Sequence, residues 1–121
     1  MVKPEFTGER DLAYSRWHRT IGERIYATDM DFVESTSKGV PVAIVEAKKW
    51  GSSLGDFQYN TYTNVGNMLG VPAFFVQYPP GCNVFRIMPI NDLAQMFVPN
   101  ACILSESDWI RILYEVHDSC Y

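Results

Sequence analysis

Cysteine is scarce in this 121-residue chain, and the three present, Cys82, Cys102 and Cys120, are scattered. No CxxC pair and no zinc-type spacing joins them, which argues against a zinc site and a disulfide framework. Idle or buried thiols in a reducing cytoplasm are the expectation. Long apolar runs are also missing. Nothing approaches the roughly 18 residues of a membrane-spanning helix, so no membrane partner is expected. The opening Lys3-Pro4-Glu5 leads into polar sequence without the apolar core of a signal peptide. No repeat or low-complexity segment stands out. An excess of positive charge is absent too: 10 Lys and Arg face 14 Asp and Glu, a net charge of -4. That balance does not advertise a nucleic-acid binder, and argues most against tight binding of long duplex DNA by this chain alone.

The distribution of charge says more. Residues 1–86 hold nine Lys and Arg against nine Asp and Glu; residues 87–121 hold Arg111 alone against five acids. A polyanion would therefore meet the first two-thirds of the chain. The length suits one domain spanning residues 1–121, with a single core.

The most informative stretch is Thr28 to Trp50, T-D-M-D-F-V-E-S-T-S-K-G-V-P-V-A-I-V-E-A-K-K-W. It reads as two strands joined by a turn at Ser37-Lys38-Gly39. Side chains alternate along a strand, so Asp29 shares a face with Asp31, and Glu46 with Lys48. A tip centred on residues 36–39 puts Asp29 opposite Glu46 and Asp31 on the near diagonal. A slip of one residue would send the carboxylates to opposite faces. Val42-Ala43-Ile44-Val45 is apolar at both parities and predicts a strand buried on both faces. Taken singly, Glu46 and Lys48 fit a solvated hairpin edge. At the end of a buried strand, three carboxylates and a lysine are costly unless paired or bound to metal. Carboxylate oxygens suit a hard cation, magnesium or manganese, and the lysine can hold an attacking water or a phosphate.

This arrangement resembles the PD-(D/E)XK nuclease superfamily, in which an Asp on one strand precedes an acidic-x-Lys triplet on the next. Here the triplet is Glu46-Ala47-Lys48, with Asp31 and Asp29 upstream. Thr28 and Met30 stand where the family name has proline, a place where the superfamily varies. Gln58-Tyr59-Asn60-Thr61-Tyr62 resembles the Q-x-x-x-Y motif of the RecB and lambda-exonuclease branch, in the same order after the triplet. Ser15-x-Trp17-His18-Arg19, Asp29-x-Asp31-x-x-Glu34 and Glu46-x-Lys48 together are similar to small phage and bacterial nuclease-like proteins. The resemblance covers roughly Glu9 to Ile90.

Along the rest of the chain, Tyr14, Trp17 and Ile21 mark a helix from about Glu9 to Thr20. Arg10, Arg16, His18 and Arg19 form the only basic knot. Arg16, His18 and Arg19 are candidates for phosphate contact, with a solvated helix face as the alternative. His18 is either a general base or a hydrogen-bonded structural residue. The resemblance also implies a further acid from a helix ahead of the hairpin, for which Glu9 and Glu23 are both candidates. A second helix is expected from about Leu54 to Met68, with Leu54, Phe57, Val65, Met68 and Leu69 as its apolar side, Gln58, Thr61 and Tyr62 on that side too, and Gly70 as its cap. Strands follow at 71–78 and from Asn83 to Ile90, separated by Pro79-Pro80-Gly81. Asn91 to Phe97 reads as one helical turn, followed by irregular chain to Ala101. Ser105-Glu106-Ser107-Asp108 caps a last helix with Trp109, Ile112, Leu113 and Val116 as its core stripe.

The expected fold is α/β, a single mixed sheet flanked by helices in the order α-β-β-α-β-β-α, which matches a restriction-endonuclease-like core. The resemblance implies a magnesium- or manganese-dependent nuclease acting on DNA in the cytoplasm of a bacterial or phage-infected cell. Asp31, Glu46 and Lys48 would be catalytic, supported by Gln58 and Tyr62. Asp29, Asp31, Glu46 and the carbonyl of Ala47 would hold metal. One basic knot suggests a short or structured substrate, or a homo-oligomer that joins footprints. The alternative is a catalytically silent module of the same fold that engages a host nucleoprotein or defence complex through its acidic C-terminal third.

Overall fold

Apolar side chains at both parities of Val42–Val45 can all leave water only if the strand is covered on both sides. In the computed structural model that strand, β2 (Pro41–Lys49), has one edge strand, β1 (Phe32–Ser35), beyond it, and Val42 to Glu46 are buried. The structure describes residues 12–22, 26 and 30–119. Asp29, Glu9, Glu23, Arg10 and Cys120 lie outside the described residues, as does the start of the first expected helix. The chain runs α1 (Ala13–His18), a 3₁₀ turn (Arg19–Ile21), β1, β2, α2 (Asp56–Leu69), β3 (Ala73–Tyr78), β4 (Val84–Pro89), α3 (Asp92–Gln95), β5 (Cys102–Ser105) and α4 (Glu106–Asp118).

The five strands form one mixed sheet in the order β1-β2-β3-β4-β5. Only β2 and β3 are parallel. A parallel pair needs a crossover, and α2 supplies it. Helix α2 packs on the face carrying Ile44, Ala73 and Phe75, where Tyr62, Val71 and Ile90 complete a small core. Helix α4 covers the other face, and its Trp109, Ile112 and Val116 pack against Val45, Phe74, Val76 and Ile87. Trp109 meets Phe74 edge-on, with ring centroids 5.4 Å apart. Among the described residues, no helix is long and apolar enough to cross a membrane.

Four expectations change. The hairpin pairs Phe32 with Val45 and Val33 with Ile44, so one further step sets Asp31, not Asp29, across from Glu46. The register differs by two residues, which preserves the faces. Near the tip a bulge intervenes: Glu34 pairs with Ala43 but Ser35 with Pro41, leaving Val42 as the extra residue. Two neighbours on the bulged side lean to one face, and both Val42 and Ala43 join the α4 core.

The second change is β5. It forms between the irregular chain expected to end at Ala101 and the helix cap expected at Ser105, where the sequence predicts no element, because Val84–Ile87 offer it an open edge and four residues are too few to show alternation. The third is the inward face of α2. Tyr62 and Gly66 are its buried residues, while Phe57, Met68 and Leu69 stay exposed. Gly66 allows the close approach: a Cβ there would lie 2.6 Å from Asn91 Nδ2. The fourth is α1, which spans only Ala13–His18 among the described residues. The strands expected around β3 and β4, and both helix caps, are present. Gly70 ends α2 in the left-handed conformation with φ 70°, and the Ser105 hydroxyl caps α4 by accepting from the Asp108 N–H.

Candidate functional site

Glu46 lies in the α2-facing row of β2, between Ile44 and Lys48, and is only 5% exposed. A carboxylate that deep would cost several kcal/mol if its oxygens found no donors. Helix α2 provides them. Gln58 and Tyr62 are one helical turn apart and therefore stand on one side of the helix. The Tyr62 hydroxyl donates to Glu46 Oε2 at 2.5 Å, and Gln58 Nε2 donates to Oε1 at 3.4 Å. The Gln58 carbonyl oxygen accepts from Lys48 Nζ at 3.0 Å, and Lys48 Nζ also donates to the Ser53 carbonyl at 3.1 Å. The two Gln58 bonds fix which way round its amide stands.

Asp31 closes the arrangement from the β1 side. Its N–H donates to the Tyr62 hydroxyl at 3.3 Å, and its Oδ2 accepts from the Ala47 N–H at 3.0 Å. This side-chain bond continues the ladder one rung beyond the end of β1. A strand residue sends its N–H and C=O toward the same neighbour, so the Ala47 carbonyl lies on the Asp31 edge as well. Asp31, Glu46, Lys48, Gln58 and Tyr62 thus form one connected network, drawn from β2, α2 and the chain leading into β1.

Electrostatics in the network are set by burial and by like charge. Burial pushes the Glu46 carboxyl above its ordinary value, and the Asp31 carboxylate pushes it the same way; the Tyr62 hydrogen bond and the Lys48 charge oppose them. Burial, then the hydrogen bond to Glu46, raise the Tyr62 phenol, so it stays a donor through the whole accessible pH range. Tyr62 is fully buried. It acts through Glu46 and Asp31 and has no surface of its own for a substrate.

Two adjacent carboxylates, one of them destabilised by the other, are donor chemistry for a hard divalent cation. Among the described residues, no group of three or more His, Cys, Asp or Glu gathers in one place. Magnesium is commonly held by one or two carboxylates and keeps several waters, so Asp31, Glu46 and the Ala47 carbonyl fit it without a third acid. Asp29 lies outside the described residues.

The basic knot is not drawn into the network. Arg16 and His18 stand on α1 and Arg19 on the turn after it; α1 has no buried residue, and Tyr14 packs against Trp17 and His18 of the same helix. Gln77 was overlooked in the sequence. It is nearly buried, pairs in register with Lys48, and its amide donates to the Ser52 carbonyl. An amide in the otherwise apolar run Ala73-Phe74-Phe75-Val76 was the signal available. Asn91, also buried, joins α3 to β3: it accepts from the Ala73 and Ala94 N–H groups and donates to the Val71 carbonyl.

No protein-family model matches the chain, and no significant similarity links it to a curated protein or to a solved structure.

Proposed function

We propose that the protein is a metal-dependent nuclease that hydrolyses phosphodiester bonds in DNA, on a restriction-endonuclease-like core. One observation carries the reading: the acid-x-Lys pair of β2 and the Gln and Tyr of α2 meet Asp31 in a single network. A decorative hairpin edge would gain nothing from burying a carboxylate beside a second one.

Asp31, Glu46 and the Ala47 carbonyl would hold magnesium or manganese, with Asp29 as a further candidate ligand. When bound, the ion neutralises charge on the phosphate and lowers the pKa of a coordinated water. The protein's own groups do the rest. Tyr62 orients Glu46 and keeps it from turning away. Lys48 has three N–H donors and spends two on Gln58 and Ser53. The third is left for the attacking water or a phosphate oxygen, held in place by the other two.

Cleavage of labelled linear, circular and single-stranded DNA and of RNA, with magnesium, manganese or EDTA, tests the proposal. Cutting should require metal and be lost in Glu46→Gln and Lys48→Ala. Absence of cutting, together with no calorimetric binding of manganese, would overturn it and leave the silent binding module in front.

A further inference from the structure

A cleft of about 420 Å³ opens beside the network, on the α2 side of the sheet; Trp50, Ser52, Ser53, Phe75, Gln77 and Arg86 are among its walls. Its floor follows from the strand register. Lys48 pairs with Gln77 and Gln77 with Arg86, so these side chains stand in one row across β2, β3 and β4. Neighbouring strands lie about 4.8 Å apart, which puts the Arg86 backbone about 10 Å from that of Lys48.

The wall between cleft and network is held from both sides. Lys48 holds the Ser53 carbonyl and Gln77 the Ser52 carbonyl. Gly51, at φ 89°, takes a conformation that side chains disfavour and lets the loop turn sharply after β2. The Trp50 N–H donates to the Tyr78 carbonyl, which fixes the backbone beneath a half-exposed indole at the cleft. Arg86 is exposed, and among the described residues no carboxylate pairs with it. Arg111, by contrast, is engaged by Asp108 and Glu115.

We infer that this cleft is a subsite for single-stranded nucleic acid, in which the Arg86 guanidinium binds a phosphate flanking the scissile one and the Trp50 ring stacks on a base. A guanidinium fork matches two phosphate oxygens at once. An exposed aromatic wall beside a cation is the combination that holds unpaired strands, because a duplex keeps its bases stacked inside. The choice of ligand rests on the phosphodiester reading above; Arg86, Gln77 and Trp50 add to it the strandedness of the substrate.

The test reads binding and not cleavage. Fluorescence anisotropy would follow a labelled dT12 strand, its rU12 and abasic counterparts, and a 12-base-pair duplex. Full-length Glu46→Gln protein serves as the parent. Single strands should bind more tightly than the duplex, and the DNA and RNA strands together report which sugar is accepted. Adding Arg86→Gln should weaken dT12 about tenfold and lower the slope of log affinity against log salt by about one. Arg86→Lys should restore the salt slope but only part of the affinity. Trp50→Ala should weaken dT12 several-fold and leave the abasic strand unchanged. Arg86 is exposed, so circular dichroism should show all variants folded. Unchanged affinity and salt slope in Arg86→Gln would overturn the inference, as would a parent that binds no strand. Binding through Arg86 in a protein that never cuts would sink the nuclease reading alone.

Discussion

The two faces of β2 are neighbours on one backbone and differ in nearly everything else. Ala43, Val45 and Ala47 face α4: Ala43 and Val45 share a core with Phe74, Val76 and Trp109, and Val45 and Ala47 border a mostly apolar cleft of about 600 Å³. Ile44, Glu46 and Lys48 face α2, where a carboxylate is buried and an ammonium is tied down. Depth does not separate them, since Val45 and Glu46 are equally buried at 5% exposure. The covering helix does. Helix α4 brings a large apolar stripe, which can only be matched by apolar residues. Helix α2 brings an amide and a phenol, which make a buried acid tolerable. A polar site on a core strand therefore needs a polar helix face above it, and this chain builds one face of each kind.

The largest effect should fall on chemistry rather than folding. Glu46→Gln keeps the shape and an acceptor for Tyr62 but removes the charge, so cleavage in magnesium should drop by about 10³-fold or more. Its urea midpoint should stay equal or rise, because a poorly solvated charge has gone. A clear loss of stability with activity retained would mean that the two faces are alike after all. On the other face, Trp109→Ala should cost about 3–5 kcal/mol in chemical denaturation, from lost transfer energy and the cavity left under Phe74. Its activity per folded molecule should be unchanged at low temperature.

Tyr62→Phe sharpens the contrast. It leaves Glu46 Oε2 and the Asp31 N–H without their partner, for a loss of about 1–3 kcal/mol. The Tyr62 hydrogen bond lowers the Glu46 pKa, so the variant should titrate this carboxyl higher still, which carbon-detected NMR of the side chain would follow. The smallest effect is on pH dependence. The folded protein holds the Glu46 proton more tightly than the unfolded chain, whose carboxyl has its ordinary value of 4.5. The stability this contributes is full below that value and is lost as pH rises through the folded pKa. In EDTA, the wild-type protein should lose stability over that window, and Glu46→Gln should show a flatter curve. A wild-type curve rising through the same window would contradict a carboxyl held above its ordinary value.

Much of the architecture was readable in advance where local rules govern it. The doubly apolar run of β2, the glycine cap of α2 and the serine cap of α4 all depend on residues close in sequence. The inward face of α2 was misjudged because Phe57, Met68 and Leu69 looked like a core stripe. Burial instead follows Tyr62 and Gly66, which lie against Asp31, Glu46 and Asn91, all distant in the chain. Strand β5 was missed for a related reason: its four residues are a strand only because β4 leaves an edge open beside them.

The chain alone determined which side chains share a face. Period two along β2 joins Glu46 to Lys48, and the helical turn joins Gln58 to Tyr62, because backbone geometry sets both spacings whatever lies nearby. Three matters were decided only by the tertiary structure. The bulged hairpin set Asp31 rather than Asp29 across from Glu46. The crossover laid the polar side of α2 over the polar side of β2. The sheet register lined up Lys48, Gln77 and Arg86. Each depends on a hydrogen-bond register or a packing choice between segments far apart in sequence, which no local periodicity encodes.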